Sequence, residues 1–434
     1  LHVGIDDTDS PKGMCTTFLS YKIVKFLEDQ NIEFIDYPSL IRFNPNIPWK
    51  TRGNGAVHLT IKTKNPKKIK KKITQFVANY SDTKNGANPG LVFYQNESIP
   101  ESFHKFSNLA LWKLVSRKKA KQFVSENKID SFYLGNGQGL VGAIGAIGYK
   151  FTDHTFELLS YRKKSQIGKK RIINKDSVKK MQSVTFPDTF NSYDNESNRV
   201  LITPHGPDPV FYGIRGETVK SVIKASTMVS ADEKLDGYMV FKSNQGTDDH
   251  LRNELQIDNL EPFTSGFLVG QVYNKPVIEK GGHVFFSVET NGKSIKCGVY
   301  KPTKITKVAQ NLIVGDKIRI GGGIRKASKH HERVVNVEFL DVLQLAKNIL
   351  LTNPTCKKCN KKMKSKGNRQ GFECIKCGNK LFSKSNVEIP RKLQNKLYLP
   401  TISAHRHLTR PYQRIRKRNK IVPFDTSLPW IHVF

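Results

Sequence analysis

Three carboxylates lie within four residues near the start of this chain. The stretch V-G-I-D-D-T-D-S-P-K-G-M-C-T-T at residues 3–17 contains Asp6, Asp7 and Asp9, in a sequence whose formal net charge is +35. Such crowding of like charges costs free energy unless a cation lies among them. Carboxylate oxygens are hard ligands that suit Mg²⁺, so this acidic turn is the candidate catalytic centre.

The flanking residues predict the elements that hold these carboxylates. An apolar run at residues 2–5 indicates a strand, and apolar residues at helical spacing over residues 19–27 indicate a helix whose N-cap falls at Thr16 or Thr17. Free N–H groups at a helix start bind phosphate, so the unit suits a nucleotide triphosphate with Mg²⁺. An Asp-rich turn with a capping threonine is the alternative interpretation.

A loop that carries cations lies at residues 42–55, which read R-F-N-P-N-I-P-W-K-T-R-G-N-G. Lys50 and Arg52 are candidate phosphate contacts, and Gly53 and Gly55 would allow the backbone to approach a nucleotide closely. An ordinary hairpin turn explains the same residues, because the next six residues alternate as a strand would.

A glycine-rich run at residues 135–149 follows predicted helices at 66–80, 101–115 and 117–127. Its sequence, G-N-G-Q-G-L-V-G-A-I-G-A-I-G-Y, fits neither the P-loop nor the dinucleotide-binding fingerprint. Close packing of a helix and binding of a phosphate both explain these glycines.

The predicted elements of residues 151–250 follow the order β-α-β-β-α-β, which is the ferredoxin-like arrangement. They are strand 155–162, helix 176–182, strands 199–203 and 210–214, helix 217–229 and strand 238–242. Between the middle strands lies P-H-G-P-D-P, which makes His205 and Asp208 candidate substrate-binding residues. The prolines alone could also account for a tight turn there.

Residues 262–345 predict an all-β unit with one short helix between its third and fourth strands. This pattern suggests an OB-fold, a barrel often used to bind single-stranded nucleic acid. The strands are expected at 267–273, 283–289, 293–300, 317–320 with Ile324 beyond a glycine bend, and 333–340, and the helix at 306–312.

Two C-x-x-C pairs within residues 350–385 are the strongest local signal in the chain. Cys356 and Cys359 are followed, after fourteen residues, by Cys374 and Cys377. Four thiolates at this spacing match a structural, tetrahedral Zn²⁺ site with no open ligand position. The cysteines therefore indicate a metal site in a reducing compartment, not a disulfide framework.

The charge balance predicts a polyanionic partner, because 72 Lys and Arg residues face 37 Asp and Glu residues. A membrane surface is the competing polyanion. No apolar run approaches the roughly 18 residues of a membrane-spanning helix, and no signal sequence is evident, so we expect no membrane association and a cytoplasmic location.

Residues 386–434 are interpreted as a basic C-terminal tail. Its cations suit phosphate and base contacts, and a solvated tail is the alternative. They are Arg406, Arg410, Arg414, Arg416, Lys417, Arg418 and Lys420.

Several of these motifs together resemble the archaeal tRNA(Ile) 2-agmatinylcytidine synthetases over nearly the whole chain. The matching motifs are G-I-D-D-T-D-S with K-G-M-C-T-T, T-R-G-N-G-A-V, and G-P-D-P-V-F-Y-G-I-R-G, before a barrel and a four-cysteine ribbon. The resemblance implies a multidomain α+β protein. Its parts would be a kinase-like α/β domain at 1–150, a ferredoxin-like domain at 151–250, an OB-fold at 262–345, a zinc ribbon at 350–385 and the basic tail at 386–434.

The resemblance also implies an ATP-dependent ligase that joins agmatine to C2 of the wobble cytidine of tRNA(Ile) with a CAU anticodon, through a phosphorylated C2, so that the tRNA decodes AUA. ATP, Mg²⁺ and Zn²⁺ are the implied cofactors, with no obligatory protein partner. Asp6, Asp7 and Asp9 would be catalytic, and Thr16 would be phosphorylated.

Agmatine is a dication, and Asp208 is the candidate for its guanidinium. A non-catalytic nucleic-acid-binding protein built from the barrel and the ribbon, or a different tRNA kinase or nuclease, are the rival interpretations.

Overall fold

The structure is a computed structural model that describes residues 1–329 and 332–434. The chain divides into two compact units. The first comprises Leu1–Leu268, Gly321–Glu338 and Leu399–Phe434, and the second comprises Val269–Ile320 and Phe339–Tyr398. None of the helices found in the described ranges is both long and apolar enough to cross a membrane.

The amino-terminal part of the first unit is a sheet with helices on both faces. The strands are β1 (His2–Asp6), β2 (Glu33–Phe34), β3 (Ser39–Arg42), β4 (Gly55–Lys62), β5 (Gly90–Tyr94) and β6 (Asp130–Tyr133). The helices are α1 (Thr16–Asp29), α2 (Pro66–Tyr80), α3 (Glu101–Trp112), α4 (Arg117–Glu126) and α5 (Leu140–Gly148). The predicted strand at 2–5 and the three helices predicted before the glycine-rich run are therefore confirmed, with α3 ending earlier than expected.

Strand alternation explains how both faces of this sheet are covered. Val3 and Ile5 of β1 point into the core that contains α1 and α2, whereas Gly4 faces α5. Successive side chains of a strand point to opposite faces, so one short strand supports two cores. β1 is paired on both sides, antiparallel to β4 and to β5, and its last residue is Asp6.

The glycine-rich run forms α5, which packs directly on β1. A Cβ at Gly4 would collide with the backbone of Ala143, and a Cβ at Gly142 would collide with the side chain of Asp6. These glycines therefore allow a close approach of helix and strand, as one of the two interpretations of the run predicts.

The same sheet continues into residues 151–250 through a parallel pairing of β3 with a later strand. The elements there are β7 (Thr155–Arg162), α6 (Lys175–Thr185), β8 (Thr189–Phe190), β9 (Tyr193–Asp194), β10 (Arg199–Val200), β11 (Val210–Gly216), α7 (Val219–Thr227) and β12 (Leu235–Ser243). The strand order is β6-β5-β1-β4-β3-β12-β7-β11-β8, with β2 beside β4.

One predicted strand of this region is wrong. Residues 199–203 do not enter the large sheet, because only β10 forms there, and it pairs with β9 in a separate two-stranded hairpin. The place beside β11 is taken by β8, which pairs through Arg215 and Gly216. A two-residue strand has no alternation to detect in the sequence.

Residues 265–344 form a closed five-stranded barrel. Its elements are β13 (Ser265–Val272), β14 (Val277–Glu279), β15 (His283–Thr290), β16 (Lys293–Val299), α8 (Thr306–Ala309), β17 (Lys317–Arg325) and β18 (Val334–Gln344). The strands close in the order β13-β15-β16-β18-β17-β13. The predicted strands and the helix position are confirmed, but the glycine bend is wrong, since β17 runs without a break through its three glycines.

The remaining strands are short. They are β19 (Ile349–Thr352), β20 (Lys364–Ser365), β21 (Phe372–Glu373), β22 (Lys380–Leu381), β23 (Ser385–Glu388), β24 (Leu397–Tyr398) and β25 (Ile431–Val433). Short 3-10 helices occur at Thr83–Asn85, Lys164–Gln166, Asp249–Leu251, Ile257–Asn259, Lys301–Thr303, Ile402–Ala404 and Tyr412–Arg414. β20, β21 and β22 form the small sheet of the cysteine-bearing segment, and β19 pairs with β23.

The last 36 residues, from Leu399, belong to the compact first unit, which corrects the interpretation of residues 386–434 as a basic tail. β25 pairs with β12, and Trp430 is buried against Phe34 and Phe424. Burial of an aromatic side chain of this size is a large favourable contribution to folding. This segment is therefore part of the fold of the first unit.

Candidate active site

A cavity of about 380 Å³ lies in the first unit at the end of β1. Its lining includes the acidic turn, the loop between β3 and β4, the proline-rich turn before β11 and the carboxyl-terminal segment, together with residues of α3, α5, β7 and β11. Every candidate site residue outside the cysteine ribbon lines this cavity: Asp6, Asp7, Asp9, Thr16, Lys50, Arg52, Gly53, Gly55, His205 and Asp208.

The acidic turn is held in shape by hydrogen bonds. Ser10 and Gly13 exchange two backbone hydrogen bonds, and the Ser10 hydroxyl donates to Asp82 Oδ2 at 2.5 Å. Asp7 adopts a positive φ of 55°, which lets the chain turn sharply after β1. The turn therefore has a defined conformation before any ligand binds.

Burial, followed by the charges of neighbouring carboxylates, disfavours ionisation of the acidic turn. Burial, followed by the charge of Asp7, raises the pKa of Asp6 well above its usual value. Burial and the neighbouring Asp9 raise the pKa of Asp7 to about 7. The pKa of Asp9 is also raised by burial, although Arg52 opposes the shift. A cation in this position would stabilise the ionised forms.

Thr16 is the first residue of α1, not its N-cap, so the predicted N-cap at Thr16 or Thr17 is wrong by one or two residues. The N-cap residue is Cys15, whose side chain makes no capping hydrogen bond. The Thr16 hydroxyl accepts hydrogen bonds from the Thr8 backbone N–H at 3.3 Å and from the Thr8 hydroxyl at 3.1 Å. It donates to Asp9 Oδ1 at 3.5 Å, so it faces the acidic turn and does not cap the helix.

Arg52 binds the carboxylates of the site in this structure. Its Nη1 donates to Asp9 Oδ2 at 2.8 Å and to the Met14 carbonyl at 2.7 Å, and its Nε lies 3.6 Å from Asp208 Oδ2. Lys50, by contrast, is exposed and has no ion-pair partner among the described residues. Of the two predicted phosphate contacts, Lys50 is therefore the free cation.

Asp208 is buried and already shares its carboxylate with two arginines. Its Oδ1 accepts from Arg171 Nη2 at 3.2 Å and from the Val210 backbone N–H at 3.0 Å. Its Oδ2 has no hydrogen-bond partner among the described residues. Burial raises the pKa of Asp208, while Arg52 and Arg171 lower it. His205 lies at the same wall, with its Nε2 2.6 Å from Arg199 Nη2.

A second polar cluster lines the cavity, and sequence reasoning missed it. Glu157 of β7 lies 3.3 Å from both Arg42 and Arg215, and His407 Nδ1 lies 2.9 Å from Arg215 Nη2. Burial and the two arginines hold the pKa of His407 well below its usual value. A signal for Glu157 existed, since it is the lone acid in the strand T-F-E-L-L-S-Y-R, all eight residues of which are buried. No comparable signal marked His407.

The four predicted cysteine ligands meet in the ribbon. The Sγ atoms of Cys356, Cys359, Cys374 and Cys377 all lie within 4.8 Å of one another. Backbone hydrogen bonds from Asn360 to Cys356 and from Gly378 to Cys374 close the two cysteine turns. Four thiolates so placed fit a tetrahedral zinc ion.

Within residues 1–329 and 332–434, no other three or more Cys, His, Asp or Glu side chains bring their ligand atoms close enough together to hold one metal ion. The ligand atoms of Asp6, Asp7 and Asp9 therefore do not meet as closely as the four thiolates do. In proteins Mg²⁺ is usually held by one or two carboxylates together with substrate phosphates, so a closed set of three ligands is not required for it.

Comparison with known proteins places this architecture in a family. Models of three domains match the chain: the TiaS TCKD domain over residues 2–136, the TiaS FLD domain over 137–250, and the TiaS C-terminal zinc ribbon domain over 353–393. The isoleucine-tRNA 2-agmatinylcytidine synthetase TiaS of Cenarchaeum symbiosum is 47% identical over 434 residues, which covers 100% of this chain and 97% of that protein. The chain belongs to the TiaS family.

Other TiaS family members are similar over their whole length. The enzyme of the same name from Thermococcus sibiricus is 38% identical, with 97% of this chain and 98% of that protein covered. A crystal structure of TiaS in complex with its isoleucine tRNA and ATP matches with a TM-score of 0.85 and 33% identity, covering 97% of this chain and 99% of that one. A complex of TiaS with the same tRNA, AMPCPP and agmatine matches with a TM-score of 0.84 and 31% identity, covering 97% and 98%.

Proposed function

We propose that this chain is an ATP-dependent ligase that joins agmatine to C2 of the wobble cytidine of the isoleucine tRNA with a CAU anticodon, so that the tRNA decodes AUA. One observation carries the proposal: the acidic turn, the cationic loop and the proline-rich turn meet in a single cavity, in a chain whose relatives bear this activity in their names. Crystallised relatives bind the tRNA, ATP and agmatine.

The chemistry requires both a phosphate site and an amine site. The C2 oxygen of cytosine is a poor leaving group, so ATP must first convert it to a phosphate ester. The primary amine of agmatine then attacks C2, and the oxygen leaves with the phosphate. The base must leave its stack to be reached by protein groups, which costs least in an unpaired loop.

We assign the phosphate half of the cavity to the acidic turn and the cationic loop. Asp6, Asp7 and Asp9 would hold Mg²⁺ on the triphosphate, because burial and then mutual repulsion raise their pKa values and a bound cation would keep the carboxylates ionised. The bound ion would neutralise phosphate oxygens. Lys50 and Arg52 would contact the phosphates. Gly53 and Gly55 lie against the Arg42 guanidinium, with which an added Cβ at either position would collide, so they let this part of the loop pack closely at the cavity.

Thr16 would accept a phosphoryl group. The orientation of its hydroxyl toward Asp9 supports this role, because a carboxylate can take up the hydroxyl proton.

We assign the amine half of the cavity to the proline-rich turn. Oδ2 of Asp208 is a buried acceptor in the cavity wall that accepts no hydrogen bond from the described residues and has only the ion pair with Arg52, and a guanidinium prefers a carboxylate partner. His205 lies beside it at the same wall. A carboxylate that already contacts Arg52 and Arg171 would bind a third guanidinium only if one of them moves, so Arg52 is the group expected to shift.

The domain labels are part of the same proposal. Residues 1–150 would be a kinase-like catalytic domain and residues 151–250 a ferredoxin-like domain, whose four strands lie in the order β12-β7-β11-β8. The closed barrel within residues 262–345 would be an OB-fold that binds RNA, and residues 350–385 a structural zinc ribbon.

Mass analysis of the wobble nucleoside of this isoleucine tRNA, after incubation with the protein, ATP and agmatine, tests the proposal. We expect a mass gain equal to agmatine less water, and no gain when ATP is omitted or when the anticodon is changed. Phosphate on the nucleoside without agmatine would indicate a tRNA kinase. Tight tRNA binding with no change of mass and no use of ATP would indicate a binding protein.

A further inference from the structure

The loop between β3 and β4 presents one aromatic side chain to solvent at the cavity. Trp49 is 64% exposed and lines the cavity together with the acidic turn. It makes no ring contact and no hydrogen bond with any described residue. A flat partner stacked on this ring would remove its apolar surface from water, which is favourable.

The base of this loop is fixed. The side chain of Asn44, which is fully buried, donates to the Phe263 carbonyl at 2.7 Å and accepts from the Ser265 hydroxyl at 2.8 Å. Asn46 also bonds to Ser265 at 2.8 Å and accepts from Arg406 at 2.9 Å. The loop therefore leaves a rigid base and carries Trp49 toward its tip.

Proline restricts the backbone just before the ring. Pro48 precedes Trp49, and Pro45 lies three residues before that. Fixed φ angles lower the conformational entropy that is lost when the ring is held for a partner. Presentation of Trp49 at the cavity is thus built into the loop.

The residues around Trp49 are suited to nucleic acid. Lys50 is exposed and lacks an ion-pair partner among the described residues, and Arg52 lies two residues further along the loop. Proteins that bind unpaired strands combine cations for the phosphates with aromatic rings on which bases stack. Because Trp49 lies at the cavity and is exposed to solvent, its ring is placed to contact a base that enters the cavity from solvent.

We propose that Trp49 is a stacking platform for an unpaired base of the tRNA anticodon loop, holding the RNA while its wobble cytidine occupies the cavity. This inference rests on the proposed function. It assigns to Trp49 a positioning role in RNA binding and no part in the phosphate chemistry.

Trp49→Ala and Trp49→Phe test the proposal in the full-length protein. Stacking is worth about 1–3 kcal/mol per base, so we expect Trp49→Ala to raise the Kd for a CAU anticodon stem-loop and the KM for tRNA by about 5- to 150-fold. Trp49→Phe keeps a stacking ring and should stay within about threefold of the wild type. Tyr80→Ala, at an aromatic side chain that is 56% exposed but does not line the cavity, is the matched control and should leave both constants unchanged.

Fluorescence provides a second readout that does not depend on catalysis. The chain has three tryptophans, of which Trp430 is buried and Trp112 donates its indole N–H to the Asp249 carbonyl. Stacking on Trp49 should quench emission on titration with the stem-loop, and Trp49→Phe should abolish the quenching. A duplex RNA without a loop should not quench.

Three results would overturn the proposal. One is a Kd of Trp49→Ala within twofold of the wild type, and another is equal quenching by duplex RNA. The third is a rise in KM confined to ATP, which would show that the ring stacks on the adenine of ATP instead. Loss of the nucleoside product in the wild type would overturn the proposed function alone, because stem-loop binding and quenching would still be measurable.

Discussion

The Thr16 hydroxyl donates to Asp9 Oδ1 across 3.5 Å, and both side chains are buried at the wall of the cavity. Asp9 is also held by Thr51 at 3.2 Å and by Arg52 at 2.8 Å. The carboxylate is thus fixed in an orientation that points one oxygen at the hydroxyl. This pair connects the helix start to the acidic turn and is the contact on which the assignment of phosphoryl transfer depends.

We expect label from γ-labelled ATP to appear on Thr16, because its hydroxyl faces a carboxylate that can accept the proton. Peptide mapping after incubation checks this outcome. Thr16→Ala should lose the label, and Thr16→Ser, which keeps a hydroxyl, should retain part of it. If Thr16→Ala keeps full ligase activity and the wild type carries no label at this position, then Thr16 has only a structural role.

Replacement of Asp6, Asp7 or Asp9 by Asn should lower ATP turnover by about two or more orders of magnitude, because the size is kept and the charge for Mg²⁺ is removed. The affinity of each variant for tRNA should equal that of the wild type. Steady-state kinetics and a tRNA-binding assay on each variant check this. Asp130→Asn, an exposed carboxylate paired with Lys70, is the control. Unchanged turnover in all three variants would contradict the metal assignment.

The sequence predicts those parts of the site that are local in the chain. The acidic turn, Thr16 and the four cysteines each lie in a short motif whose spacing limits the geometry. Glu157 and His407 could not be paired in this way, because they come from β7 and from the carboxyl-terminal segment, 250 positions apart in the numbering. Both side chains reach Arg215 only once the sheet has formed.

The partners of the cations could be predicted even less well from the sequence. The loop pattern predicts Arg52 as a phosphate contact, but nothing in it indicates that Asp9 and Asp208 both reach this side chain. Arg414 looks like one residue of a basic run, yet its partner Asp153 lies 261 residues earlier. A count of charges describes a segment but cannot show which charges are neutralised inside the fold.

The cysteine ribbon should contain one zinc per chain, measurable by elemental analysis of protein purified without chelator. Cys356→Ser should release the metal and unfold the ribbon locally, since the binding free energy of a structural zinc is folding free energy. We expect weaker tRNA binding and intact labelling of Thr16. Cys297→Ala, which removes a buried thiol from the barrel, should keep the zinc. Zinc-free wild-type protein would disprove this prediction.

Arg414 should be needed for stability and not for RNA binding. It is fully buried, 2.8 Å from Asp153 and 3.4 Å from Glu217. Although burial raises the pKa of Asp153, Arg414 and Asn419 outweigh it and lower that pKa. Arg414→Met would leave both carboxylates without this partner, so we expect a loss of about 3–5 kcal/mol in the free energy of unfolding, measured in urea.

Three other cations of the carboxyl-terminal segment differ from Arg414 in their environment. Arg416, Arg418 and Lys420 are exposed, so their joint replacement by alanine should leave stability unchanged. If they contact phosphates, the slope of tRNA affinity against salt concentration should fall by about one per contact. An unchanged slope would show that these side chains are only solvated, and a stable Arg414→Met protein would show that the buried pair contributes little.

His154 should make the protein sensitive to mild acid. Its ring is buried against Phe156, and its Nδ1 has no hydrogen-bond partner among the described residues. Its pKa is lowered to about 4, chiefly by burial and then by the charges of Lys242 and Arg414, whereas Asp153 and Asp36 oppose the shift.

The folded state thus binds the proton of His154 less readily than the unfolded chain, in which the pKa is about 6.5. Its contribution to stability is complete above that value and is lost as the pH falls toward 4. The loss should reach about 2 kcal/mol at pH 5. His154→Leu removes the titrating group, so its free energy of unfolding should fall less than that of the wild type between pH 7.5 and pH 5. Urea unfolding at the two pH values measures the difference, and parallel losses in both proteins would show that His154 does not titrate on unfolding.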